Sequence, residues 1–161
     1  MKTKIKNLVE QIFRLSLALE VLFLSGMVAV VLWQVFSRIF FARTPGWSEE
    51  LAQLLTIWFG FIGSAILVRE KGHIALEFVV QRLNEKAQRI IEWVVAGLIF
   101  LFSIYLCWGG LDLVRSTIQN HLPGTHLPVG VAYLPIPISG FLMLLALIFP
   151  RPVSDGGEQR C

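Results

Sequence analysis

The chain has 161 residues, of which 55% are hydrophobic, a formal net charge of +3 and a mean hydropathy of +0.69. Soluble domains of this length are much less apolar, so the composition excludes that class. The two cysteines lie far apart in the sequence, which argues against a disulfide framework or a clustered metal site.

Four stretches carry no charged residue and are long enough to cross a bilayer as helices. They are Val21–Ser37, Leu51–Val68, Trp93–Leu111 and Leu127–Pro150. With their flanks they predict membrane spans at about residues 15–41, 49–71, 88–114 and 129–149. We therefore expect an all-α integral membrane protein with four transmembrane helices in one membrane domain, residues 1–150, followed by a flexible cytoplasmic tail, residues 151–161.

The basic residues predict the orientation of these spans. Of the 14 Lys and Arg residues, 11 lie in the N-terminal arm, in the loop between the second and third spans, and in the tail. Cytoplasmic segments of membrane proteins carry such an excess. We therefore expect both termini in the cytoplasm, and the net positive charge gives no reason to expect a nucleic-acid partner.

The first span is preceded by an amphipathic stretch, residues 3–19, which we expect to lie along the inner membrane surface. Glu20 and Arg38 bracket the first charge-free window and lie about 25 Å apart along a helix. Both are therefore expected near opposite interfaces, where charged side chains reach water. An ionisable residue inside a membrane is a functional candidate by default, and Glu20 is the acid to consider here.

The start of the second span carries residues that are typical of a helix N-terminus. Ser48 is expected to cap the helix, with Glu49 and Glu50 in the first turn, where the helix dipole favours negative charge. The short loop before it brings Arg38 and Arg43 close to these two carboxylates. We expect at least one ion pair across this loop, orienting the first two helices.

One face of the second span consists of small residues, since Ala52, Thr56, Gly60 and Ser64 recur every four residues. Small residues at that spacing let a second helix approach closely. The stripe predicts a helix-packing seam. The seam is formed either with another subunit or inside this chain's own bundle, and the sequence supports both alternatives.

The loop after the second span predicts a short amphipathic helix on the inner membrane surface, within residues 73–89. The third helix is expected over residues 85–115, about 46 Å, so it must tilt or project from the bilayer. Tryptophans near the ends of spans are typical interfacial anchors. The candidates are Trp47, Trp93 and Trp108.

The fourth span contains Pro135 and Pro137. Proline inside a helix removes a backbone hydrogen bond and bends the helix. The bend is either a fixed kink or a hinge. The loop before this span, residues 116–130, contains a Pro-Gly pair and is expected to be irregular.

No span carries a charged side chain at its middle, and no nucleotide, zinc or nucleophile–base motif is present in the sequence. We therefore expect no enzymatic activity, no cofactor and no substrate or metal site, and a chain that acts through a partner. Two alternatives remain. A stand-alone small dimeric exporter would depend on Glu20, and a haem-bearing membrane anchor of a redox enzyme would need histidines within spans, whereas all three histidines lie in predicted loops.

Several short motifs occur in a fixed order along the chain. They are Trp47-Ser48-Glu49-Glu50, Trp58-Phe59-Gly60 with Gly63 and Ala65, Gly72-His73-Ile74, and Pro128…Tyr133…Pro135. In this order and four-helix layout the chain resembles, over about residues 8–150, the small membrane (DctQ-like, Q) subunit of tripartite ATP-independent periplasmic (TRAP) transporters. It departs from the family pattern at Glu77, where an aspartate is expected.

The resemblance implies a role in the bacterial inner membrane. Such subunits pair with a large membrane subunit that carries the sodium and substrate sites, while a periplasmic substrate-binding protein delivers an organic acid. Uptake is a symport driven by an ion gradient, without ATP. The small permease subunit is implied to brace the large subunit as a scaffold among membrane lipids, with no cofactor of its own.

Overall fold

The computed structural model of the chain describes residues 2–41, 44–70 and 84–149. The helices in these residues are α1 (Lys2–Phe41), α2 (Gly46–Arg69), α3 (Glu85–Thr117), α4 (Val129–Tyr133) and α5 (Pro135–Ile148). Four helical segments are long and apolar enough to cross a membrane, the last of them formed by α4 and α5 together. The predicted all-α fold with four transmembrane helices is thus confirmed.

Helix α1 runs without a break for 40 residues, so the amphipathic stretch continues the first span and does not form a separate surface helix. The segment contains no proline to interrupt it. Val9 and Phe13 are buried and pack in one cluster with Ile62 and Ile66 of α2. Part of the apolar face of the stretch is therefore covered by protein, while Leu8 and Leu15 stay exposed. The second predicted surface helix falls largely on residues 71–83, outside the described residues.

Helix α2 begins earlier than the sequence indicated. Its N-cap is Pro45, and Ser48 lies inside the first turn, fully buried. The Ser48 hydroxyl donates a hydrogen bond to the carbonyl oxygen of Pro45 at 2.6 Å, so the prediction of Ser48 as the N-cap is wrong. The fixed φ of Pro45, −63°, with extended ψ sets up the helix start one residue later, at Gly46.

The four spans form an open layer and not a closed bundle. Helix α1 packs against α2, α2 against α5, and α5 against α3. The two edge helices, α1 and α3, form no comparable packing with each other in the described residues. Burial is consequently low in α1 and α3 and highest in the α4–α5 span. Large apolar side chains are exposed along α1 and α3.

Two spans approach each other closely at the seam between α3 and α5. A Cβ atom at Gly140 would lie 2.8 Å from the Ser103 carbonyl oxygen, and one at Gly110 would lie 2.8 Å from Cδ of Pro137. Ser103 is fully buried, and its hydroxyl donates to the Ile99 carbonyl oxygen at 2.7 Å. Small residues with hydroxyls satisfied inside their own helix let two membrane helices come this close.

The prolines of the fourth span interrupt it only at Leu134, whose φ of −52° and ψ of −37° remain helical. Pro135 has no N–H, so it cannot bond the carbonyl of Val131 four residues earlier. The indole N–H of Trp58 on α2 donates to that Val131 oxygen at 3.2 Å. Pro135 itself is fully buried. A neighbouring helix therefore satisfies the freed carbonyl, as membrane helices require.

At the C-terminal end of α2, a charge pair joins this helix to α1. Nη2 of Arg69 lies 2.7 Å from Oε2 of Glu10, and the Arg69 side chain is only 7% exposed. The guanidinium also stacks over the Phe13 ring, 4.1 Å from its centroid. Arg14 lies 3.5 Å from the other Glu10 oxygen. We call this end of the layer the Arg69 end, and the other the Gly46 end.

Substituting leucine for Gly140 should separate α3 from α5, because no space exists for a side chain in this seam. Overpacking of a tight interior contact costs about 1–3 kcal/mol, so the melting temperature in detergent should fall. Gly97→Leu is the matched control, since a Cβ there meets no atom within 4 Å. Equal melting temperatures for the two variants would contradict the tight seam.

Replacing Trp58 by phenylalanine should leave the Val131 carbonyl without a donor and cost about 1–2 kcal/mol of stability. In a Pro135→Ala background the new N–H at residue 135 can donate to Val131, so the same Trp58→Phe change should cost clearly less. Thermal unfolding of the four proteins in this double-mutant cycle measures the coupling. An identical cost in both backgrounds would show that the indole does not compensate for the missing N–H of Pro135.

Candidate subunit interface

At the Gly46 end, Glu50 fastens the loop between α3 and α4 onto α2. Its carboxylate accepts hydrogen bonds from the Gly124 N–H at 2.8 Å, the Thr125 N–H at 2.7 Å and the Thr125 hydroxyl at 2.8 Å. Gly124 sits against the start of α2, where a Cβ would lie 2.9 Å from the backbone of Gly46. Three donors on one carboxylate give this turn a defined position.

The loop carrying that turn is more ordered than the sequence predicted. His121 and Pro128 form an antiparallel bridge, and the Leu122 N–H donates to the Leu127 carbonyl oxygen at 2.9 Å. His126 closes the turn with a positive φ of 57°. A Pro-Gly pair held by a carboxylate from another helix therefore forms a compact turn, although residues 118–128 contain no helix or strand, as predicted.

The predicted ion pairs across the first loop are placed as follows. Arg38 lies in the last turn of α1, and Glu49 lies in the first turn of α2. No salt bridge joins Arg38 to Glu49 or Glu50 within the described residues, where Glu50 instead binds the α3–α4 loop. Arg43 lies outside the described residues. A pair formed by Arg43 therefore stays a prediction.

The stripe Ala52, Thr56, Gly60 and Ser64 lies on a part of α2 that the chain's own helices leave largely open. A Cβ at Gly60 would meet no atom within 4 Å. The Ser64 hydroxyl donates to the carbonyl oxygen of Phe61 at 2.7 Å, while the Thr56 hydroxyl lies 2.8 Å from the carbonyl oxygen of Ala52 and 3.1 Å from Sδ of Met27 on α1. The small-residue seam inside the chain runs between α3 and α5, and at Gly60 the α2 stripe borders empty space.

That space is a groove over α5, with α2 on one side and α3 on the other. We call it the α2–α3 groove. It has a volume of about 350 Å³, and the side chains around it are almost wholly apolar. Its residues include Thr56, Gly60, Ser64, Phe102, Leu106 and Met143.

The three candidate anchor tryptophans are exposed at the surface of the layer. Trp47 is 42% exposed at the start of α2, while Trp93 and Trp108 on α3 are 75% and 80% exposed. Trp93 and Trp108 are about 22 Å apart along the helix. Exposed indoles at this separation suit the two boundaries of a bilayer, and their anchoring role stays a prediction.

Glu20 packs directly on the α2 backbone. A Cβ at Gly63 would lie 2.5 Å from its Oε1 atom, so the glycine makes room for the carboxylate. Gly63 lies about 9 Å along α2 from Arg69. The acid is thus displaced toward the Arg69 end of the layer, away from the middle of the spans.

Sequence reasoning missed three contacts that hold the layer together. These are Glu50 with the α3–α4 turn, Glu10 with Arg69, and Trp58 with Val131. Only the contact of Trp58 with Val131 could have been suspected from the sequence. Pro135 leaves the carbonyl oxygen four residues earlier without its helical donor, and an indole N–H only donates. The other two join residues more than fifty positions apart, and spacing alone does not pair them.

These features define a class: a small polytopic membrane protein with an open layer of four spans. Within the described residues, no group of three or more His, Cys, Asp or Glu side chains could hold a metal ion. Over residues 27–149 the chain matches the family of tripartite ATP-independent periplasmic transporters, DctQ component. The chain belongs to this family, and the resemblance seen in the sequence is confirmed.

Individual relatives differ in length and in named substrate. The sialic acid TRAP transporter small permease protein SiaQ of Vibrio cholerae is 33% identical over 143 residues, covering 83% of this chain and 79% of its own length. The isethionate TRAP transporter permease protein DctMQ of Oleidesulfovibrio alaskensis is 27% identical over 110 residues. That match covers 66% of this chain but only 17% of the relative, so the similar region is a small part of a much longer permease.

A third relative carries another substrate name. The C4-dicarboxylate TRAP transporter small permease protein DctQ of Rhodobacter capsulatus is 28% identical over 99 residues, covering 60% of this chain and 44% of its own length. The named substrates thus vary among proteins that share this small membrane region.

Removing the Glu50 carboxylate should release the α3–α4 turn, because its three hydrogen bonds to residues 124 and 125 are lost. In Glu50→Ala, amide hydrogen exchange across residues 120–128 should become several-fold faster. Glu49→Ala is the matched control, a neighbouring carboxylate without these contacts. If both variants exchange at the wild-type rate in this loop, the turn is ordered without Glu50.

Proposed function

We propose that this chain is the small permease subunit of a TRAP transporter, which braces a large membrane subunit during ion-gradient-driven uptake of an organic acid. A periplasmic binding protein delivers the substrate in this proposal. The chain acts as a non-catalytic scaffold, and the substrate is chosen by its partners. Membership of the DctQ family and the names of the relatives support this role.

The single observation that carries the proposal is the open layer. A chain that transports a substrate alone needs to enclose a polar pathway, whereas in the described residues the two edge helices do not pack together as neighbouring spans do, and large apolar side chains are exposed. Surface of this kind inside a membrane is covered by lipid or by other membrane helices. The DctMQ relative, in which a similar region is a small part of one long permease, supports the second of these for part of the surface.

The orientation of the layer forms part of the proposal. Basic residues gather at the Arg69 end and beyond it along the chain, so we place that end at the cytoplasm of a bacterial inner membrane, with both termini on the same side. The Glu50-held turn then lies on the periplasmic side, where the binding protein arrives.

Glu20 is the residue on which a stand-alone exporter would depend. Its carboxylate lies on Gly63, two helical turns from the Arg69 end, and not at the centre of the layer. A side chain at this depth can reach the nearer interface. The position favours a structural role for Glu20 over a place in a transport pathway.

Tagged protein isolated from native membranes in mild detergent should retain a much larger multi-spanning protein at about one to one. Uptake of an organic acid by vesicles that contain the large subunit and the binding protein should be lost when this chain is omitted. An unrelated four-span protein with the same tag is the control. Recovery of the chain as a homodimer alone would contradict the proposal.

A further inference from the structure

The α2–α3 groove is a space that the helices of the described residues leave unfilled. It lies near the middle of the layer, since Gly60 is about 21 Å from Gly46 and about 14 Å from Arg69 along α2. Its floor is α5 at Met143, and Phe102 and Leu106 of α3 form the wall opposite the small-residue stripe.

The small residues of α2 that line the groove allow another helix to approach closely. They present no polar atom that lacks a hydrogen bond. Thr56 and Ser64 donate to backbone carbonyls of α2, and Gly60 presents bare backbone to open space. The three residues repeat every four positions, so they form a straight track of two helical turns. Such a track lets a second helix lie closer than larger side chains would permit.

A helix fits these features better than an acyl chain does. Lipid tails cover any apolar surface and require no glycine, whereas close helix packing depends on small residues at this spacing. The membrane around this chain would contain such a helix under the proposed function. In the DctMQ relative, the region similar to this chain makes up 17% of the protein, and the remainder belongs to the same permease.

We propose that one transmembrane helix of the large permease subunit lies in the α2–α3 groove, against Thr56, Gly60 and Ser64. This inference rests on the proposed function and identifies the surface through which it is carried out. The occupant presents apolar or small side chains to the groove, because the groove offers neither a charge nor an unpaired hydrogen-bonding group.

The first test fills the groove from the α2 side. Gly60→Leu adds a side chain where the chain itself has room, so the isolated protein should keep its wild-type melting temperature while retention of the large subunit falls by tenfold or more. Gly97→Leu is the matched control, the same change at another exposed glycine with open space on α3. It should leave retention unchanged.

The outcomes separate the inference from the function on which it rests. If the wild-type chain does not retain a large subunit, the proposed function itself fails. If the wild type retains it and Gly60→Leu does so equally well, or if Gly97→Leu causes the same loss, the groove is not the contact and this inference is overturned.

A second test identifies the occupant directly and does not depend on folding of the leucine variant. A photo-reactive phenylalanine analogue at position 60, in intact membranes, should form an adduct with the large subunit, while the analogue at position 97 should form far less. An adduct at position 60 with a second copy of this chain, or with lipid alone, would overturn the proposal.

Discussion

A backbone carbonyl facing a bilayer needs a hydrogen-bond donor, and Pro135 denies one to Val131. The chain meets this requirement with the indole of Trp58, which donates across from α2 at 3.2 Å. This contact ties the interrupted fourth span to the second. The fourth span in turn provides α5, against which both α2 and α3 pack. The hydrogen bond that compensates for the missing N–H thus links the second span to the span on which the layer packs.

Helix α2 makes the polar contacts that hold the layer together at the Gly46 end and at the Arg69 end. Glu50 holds the α3–α4 turn at the Gly46 end, and Arg69 holds Glu10 of α1 at the other. Between them, Gly63 admits the Glu20 carboxylate, and Trp58 reaches α4. One helix therefore contacts the first span, the fourth span and the turn after the third span, while part of its surface stays open at Gly60. This combination of a fixed frame and an uncovered surface suits the scaffold role that we propose for the chain.

The sequence predicted the number of spans and their approximate positions because length and hydropathy determine them, independently of packing. It identified the Ala52–Ser64 stripe but did not distinguish an internal seam from an external one, since spacing specifies a face and not its neighbour. The true internal seam, between Ser103 and Gly140, lies in helices whose small residues are less regularly spaced. Ser48 was misplaced because the capping pattern ignores the rigid φ that Pro45 imposes one turn earlier.

The length of α1 has a mechanical consequence. Forty residues of helix measure about 60 Å, and membrane helices tilt by at most about 40° from the bilayer normal. Even at that tilt the rod extends about 46 Å along the normal, against a hydrocarbon thickness of about 30 Å. A length of α1 equal to roughly half the thickness of the hydrocarbon core must therefore project outside that core. Thinning or thickening of the membrane would change the length of α1 that lies inside the hydrocarbon core.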